Sequence, residues 1–308
     1  MARESALAVS DAAVVPTRPS TGSTLVSDYW GLTKPEVSFL IAITTAAGFY
    51  LGSSATPSQV PWAALVRTVI GTLLVAGGAA ALNQWMEYPF DARMRRTVRR
   101  AIAAGRIDPI RALLFGALLS LGGLTYMVLA AGALPSVLAL ATLVGYLCFY
   151  TPLKRRTSLC TLVGAIPGAV PPLIGWAAAR GCLDPEAWVL FSIVFLWQFP
   201  HFMAIAWMYR DDYARAGYLV LPDGHTRARF VIVQTLLPLV CLLPVSVLPV
   251  RAGDPSVVYA ICALMLGLGF LHFGATFARQ RSGHAARRLL LASIIYLPAL
   301  LVLMVLIP

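Results

Sequence analysis

Of 308 residues, 59% are hydrophobic and only 12% charged, against about 25% charged in an ordinary soluble domain, so a water-soluble globule is excluded. The net charge of +11 does not indicate a nucleic-acid partner. Lys and Arg gather in short connectors between apolar blocks, as expected of loops facing an anionic cytoplasmic leaflet.

Residues 1–27 are small and polar, rich in Ala, Ser, Thr and Pro, without the apolar stretch of a secretory signal. They are expected to form a disordered cytoplasmic tail, with a single membrane domain over 28–308. Beyond the tail, apolar blocks long enough for a helix to cross the hydrocarbon layer, about 20 residues, lie near 36–54, 62–83, 109–131, 134–151, 160–179, 187–208, 229–249, 255–277 and 287–307. Alternating segments of the outer-membrane barrel type are absent. The expectation is an all-α polytopic membrane protein with nine transmembrane helices.

The connectors sort by charge. Those after spans two, four, six and eight carry nearly all the arginines, whereas the stretches around Ser53–Pro61 and Ala131–Pro135 carry none. The remaining two hold only Arg180, Asp184, Glu186 and Arg251, Asp254. The excess of Lys and Arg marks the cytoplasmic side, placing the N-terminus inside, the C-terminus outside and the polar chemistry on the cytoplasmic face. The five cysteines lack CxxC spacing and read as small buried hydrophobes rather than as disulfides or metal ligands.

At the end of span two, Asn83, Glu87 and Asp91 stand at i, i+4 and i+8, one stripe if the segment is helical. One amide and two carboxylates can cradle Mg²⁺, which takes hard oxygen ligands together with substrate phosphates and water. Pro89 threatens to bend the stripe. The competing reading is a polar helix end leading into a solvated basic loop. At the end of span six, Asp211 and Asp212 adjoin Arg210 and Arg215. Adjacent carboxylates repel unless a cation offsets them, so this is either a second metal site or a local ion-pair cluster. Lys154, Arg155 and Arg156 satisfy the positive-inside pattern and also suit diphosphate, by arginine fork or lysine point charge.

His201 lies inside span six, where an ionisable group is expensive and so a functional candidate; a neutral histidine bonded within the bundle is the alternative. The Gly- and Pro-rich run 164–175 permits close helix approach or a broken helix. Polar groups gathered at one face, without a convincing internal repeat, argue against a transporter.

The strings D-Y-W-G-L-T-K-P-E-V (28–37), N-Q-W-M-E-Y-P-F-D-A-R-M-R-R-T (83–97), A-G-R-I (104–107), Y-T-P-L-K-R (150–155), T-L-V-G-A-I-P-G-A-V-P-P-L-I-G-W (161–176) and F-L-W-Q-F-P-H-F-M-A-I-A-W-M-Y-R-D-D-Y-A-R-A-G (195–217) resemble the UbiA prenyltransferase superfamily. They are similar in particular to its haem-directed branch, the protohaem IX farnesyltransferases (haem O synthases). The resemblance runs from about residue 28 to the end. It implies nine helices around a central cavity, Mg²⁺ as cofactor, and farnesyl diphosphate and haem b as substrates, with haem O and diphosphate as products. Haem A synthase or terminal oxidase assembly would be downstream partners, in a bacterial-type inner membrane. It further implies Asn83, Glu87, Asp91, Asp211 and Asp212 at the metal, Lys154 and Arg210 near diphosphate, and His201 towards haem; Arg93 and Arg215 are added to the diphosphate set on their position beside the acidic clusters alone. The family usually has Asp at the positions of Glu87 and Pro89, so the metal geometry is where this chain departs most. An aromatic quinone precursor or a chlorin is the alternative acceptor.

Overall fold

The structure is a computed structural model that describes residues 24–53, 60–222, 224, 226–248 and 256–307. The expected tail lies outside the described residues as far as residue 23, and its last three residues already belong to a helix. That helix, α1 (Leu25–Leu32), is capped by Thr24, whose side chain accepts from the Ser27 amide. It leads through Lys34, in the left-handed region at φ 48°, into α2 (Pro35–Gly52).

The chain continues through α3 (Trp62–Asp91), α4 (Pro109–Ala130), α5 (Ala133–Val144), a π-helical stretch (Gly145–Tyr150) and α6 (Thr151–Leu153). Then come α7 (Cys160–Ala169), α8 (Pro171–Arg180), α9 (Pro185–Met208), α10 (Arg210–Ala216), α11 (Thr226–Val245), α12 (Val257–Gln280) and α13 (Gly283–Leu306). With α5–α6 and α7–α8 each forming one span, nine helices among the described residues are long and apolar enough to cross a membrane. Neighbours pack from α2 through α3, α4, α5, the α7–α8 pair, α9, α11, α12 and α13, and α13 returns to α2. The spans therefore close on themselves.

Each span lies where hydropathy puts it, with one informative difference. α3 does not stop at 83 but runs on through Pro89 to Asp91. Proline removes one backbone donor and its ring crowds the preceding turn, yet the last turn survives because its side chains are held from outside the helix, as described below. The Gly/Pro run divides into α7 and α8, joined by Val170, and it serves close approach. A Cβ added at Gly48 would strike the carbonyl oxygen of Pro172, and one at Gly175 the carbonyl oxygen of Thr45. α2 and α8 thus touch backbone to backbone, a contact only small residues allow.

The expectation of buried cysteines is corrected. Cys160 is buried, whereas Cys148, Cys182 and Cys241 are exposed and Cys262 is half-buried. Cys182 lies in the connector between α8 and α9, its thiol beside Asp184. For those within spans, an outward-facing apolar surface accepts a thiol as readily as a core does, so hydropathy does not separate the two.

Candidate active site

The site forms where the ends of α3, α6 and α9 meet the start of α2. The end of α3 supplies Asn83, Glu87 and Asp91, all buried. Their i, i+4 spacing puts them on one face. Glu87 Oε1 accepts from Lys154 Nζ at 2.9 Å. Asp91 Oδ2 accepts from Arg100 Nη1 at 2.7 Å, and the Asp91 carbonyl accepts from Thr97 Oγ1 at 2.9 Å. The second carboxylate oxygen of Asp91 is buried and has no hydrogen-bond partner.

Asn83 is a hub. Its Oδ1 accepts from Lys34 Nζ at 3.1 Å and from the Tyr146 hydroxyl at 3.3 Å, while its Nδ2 donates to Thr151 Oγ1 at 3.1 Å. The π-helical stretch is what brings two of these partners to it, since the Thr151 hydroxyl in turn donates to the Tyr146 carbonyl at 2.9 Å. Such local widening of a helix recurs at functional sites. Sequence reading missed Lys34, Arg100, Tyr146 and Thr151. Lys34 carried a signal, since it lies in one of the strings that bear the resemblance, but nothing in the string tells where its ammonium goes.

The charges set one another. Burial, then the Arg100 and Lys154 charges, pull the Lys34 pKa down to about 7. At Lys154 burial also opposes the charge, but Tyr150 and Glu87 outweigh it and hold the ammonium well above the usual lysine range. The Lys154 ammonium also lies over the Tyr150 ring, 4.5 Å from its centre.

The second acidic cluster closes over this one. Asp212 is buried, with Oδ2 accepting from the Arg96 amide at 3.2 Å and Oδ1 paired with Arg215. Asp211, one residue earlier on α10, has a side chain 80% exposed and only a 3.7 Å contact to Arg210. Consecutive helical side chains point about 100° apart, so burying one leaves the other outside. The expected Asp211–Asp212 ligand pair therefore does not converge, and Asn83 presents an oxygen already held by two donors. Among the described residues no three His, Cys, Asp or Glu side chains converge as a metal cluster.

The basic residues divide in the same way. Arg93 is exposed, 5.9 Å from the centre of the Phe90 ring, and Arg210 lies over Trp207 while donating to its carbonyl at 3.2 Å. Arg155, expected with Lys154 and Arg156 to suit diphosphate, instead covers the Phe90 ring at 4.2 Å. The Leu219 amide donates to the Lys154 carbonyl at 2.7 Å, and with the Arg96–Asp212 bond this ties together the basic connectors after spans two, four and six.

His201 stands apart from this polar cluster. Its ring stacks on Trp197, centres 4.7 Å apart, and its Nδ1 lies 2.8 Å from Ser293 Oγ. The Ser293 hydroxyl proton goes to the Leu290 carbonyl at 2.6 Å. Oγ is then an acceptor, which assigns the histidine proton to Nδ1 and leaves a lone pair at Nε2. Trp197 Nε1 donates to the Ser293 carbonyl at 2.8 Å, so α13 holds both rings.

Comparison with known proteins gives this arrangement its context. The UbiA prenyltransferase family matches residues 41–297. A protoheme IX farnesyltransferase of Solibacter usitatus (strain Ellin6076) is 45% identical over 288 residues, covering 91% of this chain and 98% of that one. Among solved structures, a digeranylgeranylglyceryl phosphate synthase superposes with a TM-score of 0.72 at 14% identity, over 91% of this chain and 97% of that one. A UbiA homologue from Archaeoglobus fulgidus bound to GPP and Mg²⁺ does so with a TM-score of 0.62 at 12% identity, over 91% and 99%. The nine apolar helices among the described residues and the extent of these matches make the chain an integral membrane protein that belongs to the UbiA prenyltransferase family.

Proposed function

We propose that the chain joins the farnesyl group of farnesyl diphosphate to a vinyl group of haem b, with addition of water, giving haem O and diphosphate. The observation that carries the reading is the pair of buried carboxylates one helical turn apart, each held by a cation from another segment: Glu87 by Lys154 and Asp91 by Arg100. Buried charges are retained at such a cost when they are used. Haem b as the acceptor rests on the relative from Solibacter usitatus and on the free Nε2 of His201.

In balanced form, the C1–O bond of the allylic diphosphate breaks and its electron pair leaves with diphosphate. The vinyl π pair makes the new carbon–carbon bond. The cation left beside the macrocycle takes the oxygen of water and loses a proton. The protein's task is to stabilise charge that grows on the leaving group and to keep water from the allylic cation. Lys154, Arg100 and Lys34 form a fixed cationic array that does not have to reorganise as that charge develops. The apolar interior of the bundle excludes early quenching.

The residues fit Mg²⁺. Asp91 offers a buried carboxylate oxygen without a donor, and magnesium ordinarily takes one or two carboxylates and completes its shell with phosphate and water. Asp91 and Glu87 would hold it, with Asp212 as the nearest candidate from the second cluster. When bound, Mg²⁺ neutralises diphosphate oxygens and so lowers the barrier to ionisation. Asn83 then acts by orienting Lys34, Tyr146 and Thr151. Arg93, Arg210 and Arg215 form the outer basic rim that draws in the diphosphate.

The arginine-rich connectors support a cytoplasmic site, with the N-terminus inside and the C-terminus outside. Haem O would pass from there to haem A synthase or to terminal oxidase assembly. Incubation of the purified protein in lipid with haem b, farnesyl diphosphate and Mg²⁺ should yield haem O by mass spectrometry. Prenylation of an aromatic quinone precursor but not of haem b would replace this reading.

A further inference from the structure

Two strings singled out in the sequence, D-Y-W-G-L-T-K-P-E-V and A-G-R-I, have so far received only Lys34 as a working part. The structure joins them. Arg106 of the second holds Asp28 of the first with a forked pair of bonds, Nε to both carboxylate oxygens at 3.0 Å and Nη2 to Oδ1 at 2.9 Å. Arg106 Nη2 also donates to the Arg99 carbonyl at 3.1 Å. Beneath this pair, Leu32 and Tyr29 of α1 pack in one cluster with Ala101, Ile102 and Ile107 of the connector that follows α3. Gln84, beside Asn83, donates to the Leu32 carbonyl at 2.9 Å.

The other face of α1 is bare. Asp28 and Leu32, four residues apart, are 8% and 0% exposed, whereas Val26 and Trp30, also four apart and on the opposite face, are 78% and 65% exposed. Leu25, at the open end, is 61% exposed. This apolar face is continuous in the chain with the first turns of α2, a membrane span, where Val37 and Phe39 are likewise exposed. Tryptophan is the side chain enriched where bilayer meets water. A helix with one face bonded to protein and the other apolar, placed directly before a span, fits the headgroup layer.

We infer that α1 is an interfacial anchor whose Val26 and Trp30 insert at the boundary between lipid headgroups and acyl chains, and that the Asp28–Arg106 pair transmits this position to the connector carrying Arg100. The occupant of the bare face is the lipid surface itself. Because Lys34 follows α1 directly and Arg100 lies on the tied connector, the bilayer helps to set two of the cations around Asn83 and Asp91.

The test uses the full chain in lipid nanodiscs, with Cys148, Cys160, Cys182, Cys241 and Cys262 replaced by Ala and one spin label introduced by V26C or R95C. A label at position 26 should collide with dissolved oxygen more than with a water-soluble nickel complex, at the depth of the headgroup boundary; the opposite ranking overturns the anchor. D28N should leave the label at 26 at its depth, which shows that the bundle is intact, and should make the label at 95 more mobile. Unchanged motion at 95 overturns the tie between α1 and the connector. Neither readout depends on turnover, so both outcomes are separate from the fate of the proposed reaction.

Discussion

Glu87 and Lys154 lie 67 positions apart in the chain, and their charged atoms meet at 2.9 Å inside the bundle. The pair closes α3 onto the end of the α5–α6 span, and it stores a carboxylate and an ammonium at the place where a metal and a diphosphate would need them. Breaking such a pair from one side is costlier than removing it, because the surviving charge remains buried.

K154M should therefore destabilise the protein by about 3–5 kcal/mol, the range for uncompensating a buried ion pair. The double variant E87M/K154M should recover most of the thermal stability but not the turnover. Unfolding temperature in nanodiscs and haem O formation, measured on the same preparations, check the two halves separately.

The exposures of the neighbouring aspartates predict unequal effects. D91A and D212A should lower turnover by roughly 100-fold or more, the loss seen when fixed electrostatic stabilisation of a transition state is removed, while the protein still inserts. D211A should cost only a few-fold, since its carboxylate faces outward. Chelation of Mg²⁺ should abolish the remaining rate in all three. A loss in D211A as large as that in D212A would show that α10 turns when substrate binds.

Lys34 predicts a pH dependence with a defined sign. In the free protein its pKa is pulled down to about 7, by burial and then by Arg100 and Lys154. A bound diphosphate favours the charged ammonium, so the pKa in the complex is higher and binding takes up a proton between the two values. Affinity should fall as pH rises above about 7, by at most about tenfold per unit for one coupled proton. Binding of a non-cleavable farnesyl thiodiphosphate to wild type and K34M in the same buffers isolates this contribution, because the ligand's own titration cancels. K34M should bind more weakly at pH 7 and lose the extra slope.

Ser293 predicts a split between substrates. By accepting from Nδ1 it orients His201 and leaves Nε2 to face a ligand, so S293A should raise the KM for haem b by up to about tenfold, the value of one buried hydrogen bond. The KM for farnesyl diphosphate should not change. H201A should abolish the spectral shift on haem binding, and initial rates with each substrate varied in turn check both.

Much of the fold was legible because hydropathy and length report directly on a bilayer. All nine spans could be drawn from blocks of apolar residues, and the i, i+4, i+8 spacing of Asn83, Glu87 and Asp91 anticipated one helical face. Pro89 misled only about the helix end, since local propensity knows nothing of Lys154 and Arg100, which hold the last turn from outside. The division of Asp211 from Asp212 was not legible either, because adjacency in sequence resembles adjacency in space until a helix sends the two side chains in different directions.

The amino-acid sequence already dictates that the chain is a membrane bundle, which segments cross, and which residues bring charge to one face. Those properties depend on composition and on periodicity within a single helix. Tertiary contacts settle which cation meets which buried polar group: Lys34 the amide oxygen of Asn83, and Lys154, Arg100 and Arg106 the carboxylates of Glu87, Asp91 and Asp28. Any of the clustered arginines carries the same charge, and the choice among them is made by the packing of helices distant in the chain.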